Sequence, residues 1–209
     1  MHQEIVQKIE EVLASFNKEE HVQALLEAKK IYFDLTGEIH QDEESYESKM
    51  QRFNDWYLFS YTNEKKSKPA IFEYFENNND TKLKEALEQS RNSIFEFSKT
   101  SFRKQFILRD LISKEKVTLA KEHPTIGVIH SDYFSGRVVT FEENSYLIPS
   151  LTLYPQEVKN AVSKYAKRIG KLDSREEELR FLLKCENLKT KSLRYGHVGL
   201  EKIYVFDIK

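Results

Sequence analysis

The chain has 209 residues, of which 32% are charged and 39% hydrophobic, with 14 Phe, 11 Tyr and a formal net charge of -1. That length suits one large domain or two small ones, and the aromatics supply the apolar area that disordered chains lack. A single cysteine, Cys185, excludes an intrachain disulfide framework and a cysteine-based zinc site; no apolar run approaches the roughly 18 residues of a membrane span.

Residues 2–16 carry Ile5, Ile9, Val12, Leu13 and Phe16 on one stripe, the spacing of an amphipathic helix. The opening residues lack a charged-then-apolar secretion signal, so the expected location is the cytoplasm. Asn17 followed by Glu20 predicts a second helix start. That helix runs to about Leu35, with Val22, Leu25, Leu26, Tyr32 and Phe33 inward, and Thr36-Gly37 ends it. A third helix, capped at Asp42, carries Tyr46, Met50, Phe53, Trp56, Tyr57 and Tyr61 at three- and four-residue spacing. A polar loop over 63–69, a short helix at Ala70–Phe75, a turn at Asn77–Asp80 and a helix with Leu83, Ala86 and Leu87 inward complete a helical region, residues 1–92.

The period then changes. Residues 93–100, 102–111, 116–120, 127–141 and 145–148 read as short strands, with Ser113-Lys114-Glu115 as a hairpin connection. They predict a small antiparallel β-barrel or bent sheet over residues 93–150. Residues 151–209 read as a pair of helices (156–169 and 173–185), a basic loop at 189–199 and a terminal strand at 202–208. The fold class is therefore α+β.

Three stretches carry a family resemblance: Phe53-Asn54-Asp55-Trp56-Tyr57-Leu58-Phe59-Ser60-Tyr61, Leu108-Arg109-Asp110-Leu111-Ile112-Ser113, and Asp132-Tyr133-Phe134-Ser135-Gly136-Arg137-Val138. Together they resemble an uncharacterised family of bacterial cytoplasmic proteins with a Phe-x-Glu-Trp-Phe-x-Phe-Asp-Tyr segment followed by a small β-domain. Some members of that family end in a SEC-C zinc motif, which one cysteine cannot build here. Ser60 stands where the family has Asp, and the hairpin lacks the family's Gly. The resemblance implies an architecture and no activity.

Several groups are candidates for function. Trp56, Tyr57 and Tyr61 would serve as partner anchors if exposed, and as core if not. Lys189, Lys191, Arg194 and Tyr195 combine cations for phosphate with an aromatic for base stacking, although a pI near 6.6 is not that of a dedicated nucleic-acid binder. His130 and Asp132, two apart on a predicted strand, share a face, and Arg137 lies on the same strand. A solvated surface pair is the simpler reading of the first two. Asp132 to Gly136 resembles in part the nucleotide loop of PilZ barrels, with Ser one place late and no upstream Arg-x-x-x-Arg. Cys185 sits among leucines and reads as an inert buried thiol.

No catalytic, metal or cofactor site emerges from these residues. Charge is uneven: residues 1–92 hold 12 basic and 19 acidic side chains, and residues 156–209 hold 13 and 8. The expectation is a non-enzymatic adaptor that engages a protein partner, with no membrane involvement. The alternatives are a nucleic-acid-binding protein using the basic C-terminal segment, or a nucleotide sensor on the barrel.

Overall fold

The computed structural model describes the chain except residues 64–66, 77–80 and 207–209 and the side chain of Glu20. The expected turn at Asn77–Asp80 and the middle of the 63–69 loop thus lie outside the described residues. Helix α1 (His2–Phe16) buries Ile5, Val12 and Phe16 as its stripe requires. Helix α2 (Glu19–Thr36) starts after Lys18 instead of Asn17. It buries Ala28, Tyr32 and Thr36, whereas Val22 and Leu26, expected inward, are exposed. Gly37 ends it at φ 83°, where a Cβ would stand 2.9 Å from the Thr190 methyl.

Helix α3 (Tyr46–Phe59) begins at Ser45 instead of Asp42. The sequence pattern suggests one apolar face; in the fold, every residue from Asp55 to Phe59 is buried, as are Lys49, Arg52 and Phe53. The second half of α3 is a central helix covered on all sides. Helices α4 (Ala70–Glu76) and α5 (Thr81–Glu88) follow, and α5 buries Leu83, Ala86 and Leu87 as expected.

Among the described residues six antiparallel strands come next: β1 (Arg91–Thr100), β2 (Phe106–Asp110), β3 (Lys116–Thr118), β4 (Tyr133–Phe141), β5 (Asn144–Leu147) and β6 (Thr152–Leu153). Their order is β3-β2-β1-β4-β5, with the short, unforeseen β6 also on β4. The sheet curls into a half-barrel until its edges touch: Leu119 bridges Ser145, and the Ala120 N–H donates to the Ser145 carbonyl at 2.9 Å. The expected strand from Gly127 forms only from Tyr133. Ser131 sits at φ 72°, and the Asp132 carboxylate accepts the Ile129 N–H at 2.9 Å, which fixes a turn.

A 3-10 turn (Gln156–Val158) leads into α6 (Lys159–Ile169) and α7 (Arg175–Arg194). Ser174 caps α7 by accepting the Glu177 N–H, and three glutamates in the first turn suit its positive end. The helix continues to Arg194, into the segment expected to be a basic loop, because Leu188 and Thr190 still find buried positions; residues 195–199 form the expected loop. Over residues 202–206 the expected terminal strand is replaced by the end of α8 (Leu200–Ile203) and irregular backbone to Phe206; the rest of that expected strand lies outside the described residues.

Three apolar cores result. One joins α1–α5 to the outer side of the sheet through Val139, Tyr146 and Ile148. A second packs α6, α7 and α8 on Ile94 and Tyr133. The third fills the half-barrel with Phe95, Phe97, Leu108, Leu119, Phe134, Val138 and Leu147. Strand alternation explains the division: on β4, Phe134 and Val138 face the barrel interior, so Tyr133, Ser135, Arg137 and Val139 face the helices. Among the described residues no helix is long and apolar enough to cross a membrane.

Candidate functional site

The aromatic candidates are core. Trp56 is 7% exposed and packs its ring 5.3 Å from that of Tyr32 and 4.9 Å from that of Tyr61. Tyr57 stacks on Tyr61 at 5.9 Å. These residues are not an exposed docking patch, because α3 has no solvent face there. Tyr57 and Tyr61 reach only the wall of a cleft of about 530 Å³ beside Phe16 and Glu73.

The basic candidates lie on a helix instead of a loop. Lys189 and Lys191, two apart, point about 200° away from each other around α7. Lys189 is half-buried and Lys191 exposed. Arg194 donates to the Glu38 carbonyl at 3.0 Å, and Tyr195 is exposed just beyond the helix. The four do not form one continuous surface.

The polar candidates also part company. His130 is exposed and bonds Ser131 at 2.9 Å, while Asp132 accepts from Gln156 at 3.3 Å. They do not lie on a strand together. Arg137 turns the other way, toward α3, and belongs to the main polar assembly of the molecule.

That assembly forms where α3, β4 and α7 meet. Lys49, Arg52 and Asp55, at three-residue spacing, line one side of α3. Arg137 donates side-on to Asp55, Nε to Oδ1 at 2.6 Å and Nη2 to Oδ2 at 3.1 Å. Its third bond goes to Ser90 Oγ at 2.9 Å, and its guanidinium lies over the Phe59 ring at 3.9 Å. Arg52 donates from Nε to Glu186 at 3.2 Å and from Nη1 to the Ser150 carbonyl at 2.8 Å. Glu186 also accepts from Ser135 Oγ at 2.9 Å, and Ser135 accepts from Tyr154 at 3.0 Å. Asn92 stands at 3.5 Å from both Arg52 and Asp55.

Lys49 extends the array. It donates to the Thr36 carbonyl at 2.9 Å and to Thr190 Oγ1 at 2.8 Å, and its ammonium lies 5.5 Å from the centre of the Tyr32 ring. Burial lowers its pKa to about 8, helped by the like charge of Arg52 and opposed by Glu186. Burial also raises the Tyr154 and Cys185 pKa values, with the Glu186 charge acting in the same direction. The Cys185 thiol is thus held protonated and away from solvent.

Sequence reasoning did not assign Lys49, Arg52, Asp55, Asn92, Ser135 or Glu186. The available signal was a charged row at three-residue spacing in a helix that also carries Phe53, Trp56, Tyr57 and Phe59, so that from Arg52 onward little of its surface is left for water. Chemically, the assembly neutralises charge and fixes three chain segments to one another. Breaking a buried pair of this kind leaves an uncompensated ion, which is where its cost lies.

Two surface features remain, one beside this centre and one at the far end of β1. The first is a cleft of about 360 Å³ whose lining includes Asn92 and Arg137. The second is the barrel end where β1 leaves and β4 enters. There the turn Ser101–Gln105 is held by Ser101 N–H to the Gln105 carbonyl at 2.8 Å and Lys104 N–H to the Ser101 carbonyl at 2.9 Å. Phe102 at its tip is 92% exposed, with the Arg103 guanidinium 5.5 Å from its ring centre. The loop that enters β4 rises beside it, the Ser131 N–H donating to the Phe97 carbonyl at 3.0 Å. Ile126 and Val128 of that loop pack on the barrel core, and Ile129 is 73% exposed.

No curated protein and no solved structure matches the chain. A family model does, over residues 1–192, a span that holds all the strands and the whole buried charge assembly. The chain therefore belongs to the family of unknown function DUF7986.

Proposed function

We propose that this is a non-enzymatic cytoplasmic adaptor, of bacterial type, whose barrel end engages an acidic surface of a protein partner. The observation that carries this reading is Phe102. A large aromatic with 92% exposure, on a hydrogen-bonded hairpin tip, loses little conformational freedom on binding and gains the burial of a whole ring. Arg103 and Lys104 beside it supply charge that selects an acidic partner and steers its approach. Ile129 widens the apolar part of the contact.

A photo-crosslinking analogue of phenylalanine at position 102, expressed in the native host, tests this. The expected result is one discrete protein adduct, absent when the analogue replaces exposed Arg180 and lost when Arg103→Glu and Lys104→Glu are added. No adduct at 102, or the same adducts at 102 and 180, would sink the proposal. An adduct removed by nuclease would transfer the site to nucleic acid.

A further inference from the structure

The cleft beside Arg137 has the make-up of a small-ligand site. Its walls are apolar, with Phe59, Phe72, Leu179 and Leu182, and its floor is polar. Arg137 on that floor is 4% exposed and rigidly placed. A guanidinium has five N–H groups; three are donated to Asp55 and Ser90, so one remains on each terminal nitrogen. At the rim the acids of the lining are paired, although Arg91 also serves Asp110 at 3.0 Å and Arg180 also serves Glu177 at 2.8 Å. Glu178 pairs with Arg91 at 2.7 Å, Glu176 with Arg180 at 2.6 Å and Glu88 with Lys84 at 3.9 Å. Arg175, which also lines the cleft, makes no ion pair among the described residues.

A cleft of about 360 Å³ that joins apolar side chains to two undonated N–H groups of a buried arginine and to an arginine without an ion pair among the described residues suits one chemistry. We infer that it binds a small amphipathic organic anion, a carboxylate with a short hydrocarbon tail. The carboxylate lies between Arg137 and Arg175, and the tail lies against Phe59, Phe72 and Leu179. A bare anion would leave the apolar side chains wet, and an uncharged tail would leave Arg175 and the two undonated N–H groups of Arg137 without an acceptor. This site lies apart from Phe102 and does not depend on the partner surface.

Calorimetric titration of the full chain with octanoate tests the inference, with octanol and inorganic phosphate as the tail-only and anion-only probes. Octanoate is expected to bind saturably at one site, at least about tenfold tighter than either probe, which corresponds to about 1.4 kcal/mol. Arg137 is unsuitable for substitution because it also secures Asp55. Arg175→Glu and Leu179→Trp act on the rim and a wall, and each is expected to weaken octanoate at least tenfold with the thermal midpoint of the free protein retained. Backbone amide shifts on binding should cluster at residues 59–60, 87–92 and 175–182. Absence of saturable octanoate binding, equal binding of octanol, or undiminished affinity in both variants overturns the inference.

Discussion

Arg137 and Asp55, 82 residues apart in sequence, form a side-on, almost fully buried ion pair with bonds of 2.6 and 3.1 Å. The pair ties the outer face of β4 to the covered helix α3. Asp55→Ala leaves two buried guanidinium groups short of a counter-charge and is expected to cost about 3–5 kcal/mol. Asp55→Leu combined with Arg137→Met removes both charges and should cost clearly less than the sum of the single changes. Urea denaturation of the four proteins measures the coupling; strict additivity would show that the pair contributes nothing.

Lys49 gives a pH dependence of unusual sign. Its pKa is about 8 in the folded protein against an ordinary 10.5, so between those values the unfolded chain holds more protons. Stability from this group therefore rises with pH across that window, as the ammonium sheds the cost of its burial. A neutral amine keeps two N–H groups, enough for Thr36 and Thr190. Lys49→Met should remove the rise, which chemical denaturation at pH 7.5 and 10 would register.

His123 acts at the other end of the scale. Its Nδ1 lies 2.7 Å from the Pro124 carbonyl, and its Nε2 accepts the Leu147 N–H at 3.0 Å, so the neutral ring suits the site. Burial lowers its pKa from the usual 6.5. Below pH 6.5 the unfolded chain takes up the proton first, and stability falls on acidification until the folded ring also titrates. His123→Leu should be less stable by about 1–3 kcal/mol at pH 7.5, with the deficit shrinking as the pH drops to 5.

Gly170 lets the end of α6 touch the β2–β3 hairpin. A Cβ there would press into the Ile112 carbonyl, with the carbonyl carbon at 3.0 Å. Gly170→Ala is expected to cost about 1–3 kcal/mol. Gly196→Ala meets nothing within 4 Å and should be near neutral, so a thermal melt of both separates crowding from any general effect of removing a glycine.

Elements that bury one clean apolar face were legible in the sequence. Helix α1, helix α5 and the β2–β3 hairpin fall close to expectation, because local spacing decides which way their side chains point. The α+β class and the curled sheet followed from the same patterns. The polar centre was not legible. Lys49, Arg52 and Asp55 look like an ordinary solvated row, and only partners 141, 134 and 82 residues away reveal otherwise. For the same reason α7 looked shorter: Glu186 and Thr190 interrupt its apolar rhythm, yet both are buried against α3 and Gly37. Phe102 reads in the sequence as the start of a strand over 102–111, whereas residues 101–105 form a turn and β2 begins only at Phe106, so its exposure is a property of the folded hairpin.

The bond between Arg52 and Glu186 also sets an order of events during synthesis. Glu186 leaves the ribosome 134 residues after Arg52. At about 5–20 residues per second that is a delay of about 7–27 seconds. Until then the covered side of α3 holds cations whose acid has not been made. The half-barrel can form in the interval from its own strands, but the helical layer can only dock on it provisionally. An arrested chain in which Leu153 has cleared the ribosomal exit and Glu186 has not would thus have its sheet closed and its first three helices still accessible to protease.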